Sequence, residues 1–129
     1  MMLFLDTSDH ERTSLYLLGK DALKAHIWKS KFDQAEKLHT EIEKFLKKYK
    51  IALDKIEKIG VVVGPGHFSR VRTGVVVANT LGYVLNIPVV GVKKLGTGIN
   101  FSAALKQKGQ KTVDVYYDRE PNITKPKKK

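Results

Sequence analysis

The chain has 129 residues, 42% of them apolar and 29% charged, which fits one soluble globular domain with a single core and is too short for two. It has no cysteine, excluding disulfides and thiolate metal sites, and no window with the roughly 18 apolar residues that a membrane span needs. A formal net charge of +11 raises nucleic acid as a partner, although much of it lies in a terminal run (Lys125, Lys127, Lys128 and Lys129) and in the group Lys44, Lys47, Lys48 and Lys50.

Met1 to Leu5 reads as a short buried strand, ended by the turn formers Asp6, Thr7, Ser8 and Asp9. The acid at position 6 interrupts the apolar run too early for a signal peptide, which predicts a cytoplasmic protein. Thr13 to Leu18 follows as a second strand, and Gly19, Lys20 and Asp21 make a turn. From Ala22 to Trp28 the residues alternate, with Leu23, Ala25 and Ile27 on one face and Lys24, His26 and Trp28 on the other. Period two marks a half-exposed strand, and three strands joined by short turns predict an antiparallel meander.

From Phe32 to Tyr49 the period changes. Phe32, Ala35, Leu38, His39, Ile42, Phe45, Leu46 and Tyr49 recur at steps of three and four, the mark of an amphipathic helix. Asp33 with Lys37 and Glu43 with Lys47 add pairs one turn apart, and lysines at the C-terminal end suit the helix dipole. Ile56 to Val63 is too uniformly apolar for an exposed edge and predicts a buried strand.

Gly64, Pro65 and Gly66 then turn the chain toward His67, Phe68, Ser69, Arg70, Val71 and Arg72. Glycine permits positive φ and close backbone approach, and proline fixes the bend. Backbone N–H groups beside Arg70 and Arg72 suit an anion, and a plain tight connection explains the same residues equally well. Thr73 to Leu85 predicts a helix, with Gly74, Ala78 and Gly82 lining one face of small side chains that another element can approach closely. Asn86, Ile87 and Pro88 end it, and Val89 to Val92 is a last strand, joined to the previous one by a parallel crossover. The pattern fades through Gly96, Gly98 and Gly109, with an ordered stretch at Val113 to Tyr117 before a Pro- and Lys-rich end.

The order β-β-β-α-β-α-β is that of the ribonuclease-H-like half of the actin and sugar-kinase ATPase fold: one α/β domain, a mixed sheet with helices packed on it. In that fold the turn after the first strand holds phosphate and magnesium, a task to which Asp6, Thr7 and Ser8 are suited. The same residues also suit a turn that satisfies its own backbone. Without a second domain to close over a nucleotide, they predict a vestigial site at most, with ATP or ADP and magnesium bound only within a complex.

The four histidines lack metal-ligand spacing, and neither Ser8 nor Ser69 stands in a nucleophile elbow, so no metal site and no catalytic residue are expected. Two helix faces exceed what one sheet covers: Leu38, His39, Ile42 and Phe45 on the first, and Gly74, Ala78 and Gly82 on the second. Together they predict a helix–helix interface with another protein.

The segments MLFLDTS, AEKLHTEIEKFLKK and IGVVVGPGHFSRVRTGVVVANTLGYVLNIPVVGVKKL, in this order over residues 2 to 95, resemble the TsaB (YeaZ) family of tRNA threonylcarbamoyladenosine biosynthesis. The family motif G-P-G-x-F-[ST]-x-x-R-x-G falls on Gly64, Pro65, Gly66, Phe68, Ser69, Arg72 and Gly74. His67 and Arg70 stand where the family usually has a small residue and a glycine. The end, VDVYYDREPNITKPKKK, resembles the family's tail.

The resemblance implies a first domain over residues 1–95, a short connection over 96–112 in place of most of a second domain, and a basic, partly disordered tail over 113–129. It also implies a non-catalytic scaffold for a TsaD-like transferase that forms threonylcarbamoyladenosine beside the anticodon of tRNA. The implied partners are that TsaD-like protein in a heterodimer, a TsaE-like ATPase and tRNA through the complex, with a homodimer when the chain is alone. Two rivals come from other classes. One is an actin-like ATP-binding phosphotransferase relic using Asp6, Thr7 and Arg72; the other is a small basic RNA-binding module using the lysine clusters.

Overall fold

A computed structural model describes residues 1–19, 23–30, 33–94, 96 and 98–116. Its elements are β1 (Met2–Asp6), β2 (Arg12–Leu18), β3 (Leu23–Lys29), α1 (Gln34–Lys48), a 3-10 turn (Leu53–Lys55), β4 (Lys58–Gly64), α2 (Phe68–Leu85), β5 (Val89–Lys93) and α3 (Phe101–Lys106). The five strands form one sheet in the order β3-β2-β1-β4-β5. β2 runs antiparallel to both β1 and β3, while β4 is parallel to β1 and β5 to β4. This is the ribonuclease-H-like arrangement that the element order predicts.

β1 is buried along its whole length because strands flank it on both edges and side chains cover both faces. Leu3 and Leu5 point to the face covered by α1 and α2, where they join Leu15, Leu17, Leu38, Phe45, Val61 and Val75. Met2 and Phe4 point to the opposite face and pack with Leu18, Val62, Val90 and Ala104. There Phe101 of α3 meets Phe4 edge-on at 5.4 Å and Tyr16 at 4.8 Å. Burying one such apolar side chain stabilises a fold by about 1.5–3 kcal/mol.

Several boundaries and faces differ from the sequence reading. α2 begins at Phe68 rather than Thr73, so most of the motif that follows the glycine corner is helical. His67 keeps an extended backbone at its N-cap, and burial of Val71 and Val75 outweighs the weak helix propensity of β-branched residues. β3 shows the reverse of the usual apolar-in pattern: Leu23 is 57% and Ile27 55% exposed, while His26 and Trp28 turn toward α1. Pairing sets this parity, since Leu15 lies opposite His26 and Thr13 opposite Trp28, on the helix-covered face.

Within the expected short connection, residues 96 and 98–112 are described; they include α3 and pack on the domain. Lys58 Nζ donates to the carbonyls of Leu105 (2.8 Å) and Gln107, and Gln110 pairs with Val89. Val113 to Tyr116 is held without being a strand: Asn79 bonds both the N–H and the C=O of Val113 at 2.9 Å. The Tyr116 N–H donates to the Val63 carbonyl at 2.8 Å. Phe32 at the expected helix start, most of the turn Gly19 to Asp21, Tyr117 and the basic tail lie outside the described residues.

Candidate partner-binding face

The turn after β1 closes on itself. Asp6, Thr7 and Ser8 are all buried. Asp6 Oδ1 accepts from the Ser8 N–H at 3.0 Å and the Ser8 hydroxyl at 2.6 Å, and Oδ2 accepts from Lys94 Nζ at 3.0 Å. Thr7 Oγ1 donates to the Arg70 carbonyl at 2.7 Å. The three side chains expected at a vestigial phosphate turn are therefore together, and each is bonded within the chain. A carboxylate with both oxygens held in this way has less to offer a magnesium ion.

The glycine corner is stitched to the same turn. Gly64 has φ +136, a value that side chains rarely adopt, and the Tyr116 carbonyl oxygen lies 2.9 Å from where its Cβ would be. Pro65 and Gly66 are exposed, and the His67 N–H donates to the Ser8 carbonyl at 3.0 Å. The two corner arginines part company. Arg70 is only 7% exposed, with Nε donating to the Asp9 carbonyl at 2.6 Å and Nη2 to Ser30 Oγ at 2.9 Å. Burial pulls its pKa below the ordinary guanidinium value, opposed by the charges of Asp9 and Asp33. Arg72 is exposed, as are Ser69, whose Oγ lies 3.3 Å from His67 Nδ1, and Phe68.

The expected interface residues divide by burial. Leu38, Ile42 and Phe45 face this chain's own sheet and are at most 5% exposed. Gly74, Ala78 and Gly82 do the same, which corrects the reading of that small-residue face as open to a partner. A Cβ on Gly74 would sit 2.3 Å from Thr7 Oγ1 and one on Gly82 would sit 2.5 Å from Val89 Cγ2, so the turn after β1 and strand β5 make the close approach. Only His39 of the set is exposed.

The open side of α2 carries Val76 (56% exposed), Tyr83 (86%) and Val84 (69%). These positions were missed, yet with Thr80 they recur at i, i+4, i+7 and i+8 on the face opposite the small residues. Beside them a groove of about 800 Å³ runs between the two helices, lined by Ile42, Leu46, Ile51, Leu53, Val77 and Leu81 among others. His39 and three lysines of the α1 end line it too. At the outer end of the sheet, His26 Nε2 and Glu41 Oε1 lie 2.7 Å apart. The hydrogen bond from His26 holds the Glu41 carboxyl below its ordinary pKa, the Lys44 charge adds to this, and burial opposes it. An apolar groove flanked by exposed valines and a tyrosine is a surface whose chemistry suits apolar side chains of another molecule.

Comparison with known proteins gives a consistent set of matches. The family profile described as "TsaD: tRNA N6-adenosine threonylcarbamoyltransferase" matches residues 31–112, more than half of the chain. The "tRNA threonylcarbamoyladenosine biosynthesis protein TsaB" of Bacillus subtilis is 32% identical over 97 residues, covering 74% of this chain and 42% of its own length. The solved structure of YeaZ from Pseudomonas aeruginosa superposes with TM-score 0.68 at 31% identity, covering 73% of this chain and 44% of that one. RuvC of T. thermophilus, in complex with a Holliday junction substrate, shares the fold alone: TM-score 0.51 at 10% identity, over 71% of this chain and 63% of that one. The chain spans less than half the length of the TsaB and YeaZ relatives it matches.

Proposed function

This chain belongs to the tRNA N6-adenosine threonylcarbamoyltransferase family as a TsaB/YeaZ-like protein, and from that premise we propose that it is a non-catalytic pairing subunit for a TsaD-like transferase in the formation of threonylcarbamoyladenosine on tRNA. The observation that carries this reading is the open apolar face made by the groove between α1 and α2 with Val76, Tyr83 and Val84. Such a face is costly to leave in water and is suited to helices of a partner.

The β1 turn supports the non-catalytic part, because Asp6, Thr7 and Ser8 are bonded within the chain. A nucleotide with magnesium then belongs to the complex rather than to this subunit, and a TsaE-like ATPase and tRNA join through that complex. Reconstitution tests the reading: unmodified tRNA, the TsaD-like and TsaE-like proteins of the same organism and threonylcarbamoyl-adenylate are mixed with and without this chain. Modification that depends on the chain supports the proposal. Modification at the same rate without it contradicts it.

A further inference from the structure

β5 is an edge strand, and part of that edge has no partner. Backbone groups along a strand alternate in direction. The Pro88 carbonyl and the Lys94 N–H bond β4, at Ile59 and Gly64, whereas the N–H and C=O of Val89 turn outward to Gln110 at 2.7 and 2.8 Å. The same alternation turns the N–H and C=O of Gly91 and Lys93 outward, and among the described residues no backbone group bonds them on that side. The segment after Gln110 passes over the edge instead of pairing with it. A Cβ on Gly91 would lie 3.3 Å from that of Val113, which places Val113 on the α2 face of the strand, where Asn79 holds it. A groove of about 560 Å³ remains beside β5, lined by Val90, Gly91, Lys93, Lys108, Val115 and Tyr116 among others.

We infer that this groove takes an extended segment of another protein, which pairs with Gly91 and Lys93 as a sixth strand and carries apolar and acidic side chains in alternation. Free main-chain donors and acceptors on an open edge give such a segment affinity, and the side chains around it give selectivity. Val90 and Val115 offer apolar contact, while Lys93 and Lys108 outnumber the one acid of the lining, Asp114. Lys93 is exposed, with Nζ 3.9 Å from the centre of the Tyr116 ring. Carboxylates on the incoming strand complement these two lysines, and cations there are repelled. Single-stranded nucleic acid fits less well, because Lys93 already covers a face of Tyr116, the one aromatic ring among the described lining residues. The groove shares no lining residue with the one between α1 and α2, so the inference is independent of the pairing role and leaves that face free.

Three short synthetic peptides titrated against the full chain at low ionic strength test this. One alternates Val with Glu, one alternates Val with Lys, and the third is the Val/Glu peptide with its amides N-methylated so that they cannot donate. The Val/Glu peptide should bind at least about tenfold more tightly than either of the others and should slow amide hydrogen exchange at Gly91 and Lys93. In K93E/K108E, folded by circular dichroism, the preference between Glu and Lys should reverse. Equal binding of the N-methylated peptide overturns the inference, as does exchange slowed elsewhere but not at Gly91 and Lys93. So does a chain that binds none of the peptides, or one that binds single-stranded RNA through Lys93 and Lys108 while ignoring the peptides. No step needs a TsaD-like protein or tRNA modification, so failure here is distinguishable from failure of the pairing role.

Discussion

At the residue scale, Gly74 marks the tightest constraint in the motif. Thr7 reaches across to the Arg70 carbonyl, and its Oγ1 occupies the place where a Cβ on residue 74 would sit. Gly74→Ala should destabilise the chain by about 1–3 kcal/mol, as overpacking does, read as a lower urea midpoint. Glu41 carries a pH dependence. Its carboxyl is held below its ordinary pKa by the hydrogen bond from His26, so its contribution is present above the unfolded value and lost as pH falls through the folded one. Urea midpoints should decline into acid, with a shallower decline for His26→Ala; identical slopes would remove Glu41 from the account. The glycine requirement was legible in the motif, but which atom demanded it was not, because Thr7 and Gly74 meet only once β1 and α2 pack.

At the element scale, α2 separates two roles that the sequence ran together. Its small face is covered by the turn after β1 and by β5, and its valine and tyrosine face is open. Ala78, fully buried, is therefore a folding position: Ala78→Arg should lose cooperative unfolding altogether, since it drives a cation into the core. Tyr83→Asp should change stability by no more than about 0.5 kcal/mol, as exposed substitutions do, and still abolish binding of a TsaD-like subunit. Equal binding by Tyr83→Asp and the unmodified chain would move the interface elsewhere. Periodicity was enough to find α1, β1, β4 and β5, whose burial follows their own pattern. It misled at β3, where the register with β2, not the strand's own apolar residues, decides which face meets α1. It misled at α2 too, where small residues permitted close approach but could not say by which element.

At the scale of the whole molecule, the sheet is covered by α1 and α2 on one face and partly by α3 on the other, and residues 107–116 return to α2 and to the end of β4. Asn79→Ala removes both hydrogen bonds to Val113 and should speed amide hydrogen exchange at Val113 and Tyr116 while exchange in β1 stays slow. Unchanged exchange at both sites would show that apolar packing of Val113 on Gly91 holds the segment by itself. The net charge of +11 gave no guide to this architecture, because surface charge reports on partners and not on fold. The central claim is that the α1/α2 face pairs this chain with a TsaD-like subunit. Light scattering after size exclusion of the two proteins mixed, with Tyr83→Asp run in parallel, tests it most directly. The account predicts a one-to-one complex for the unmodified chain and separate proteins for the variant; two separate peaks for the unmodified chain, or a complex that survives Tyr83→Asp, would contradict it.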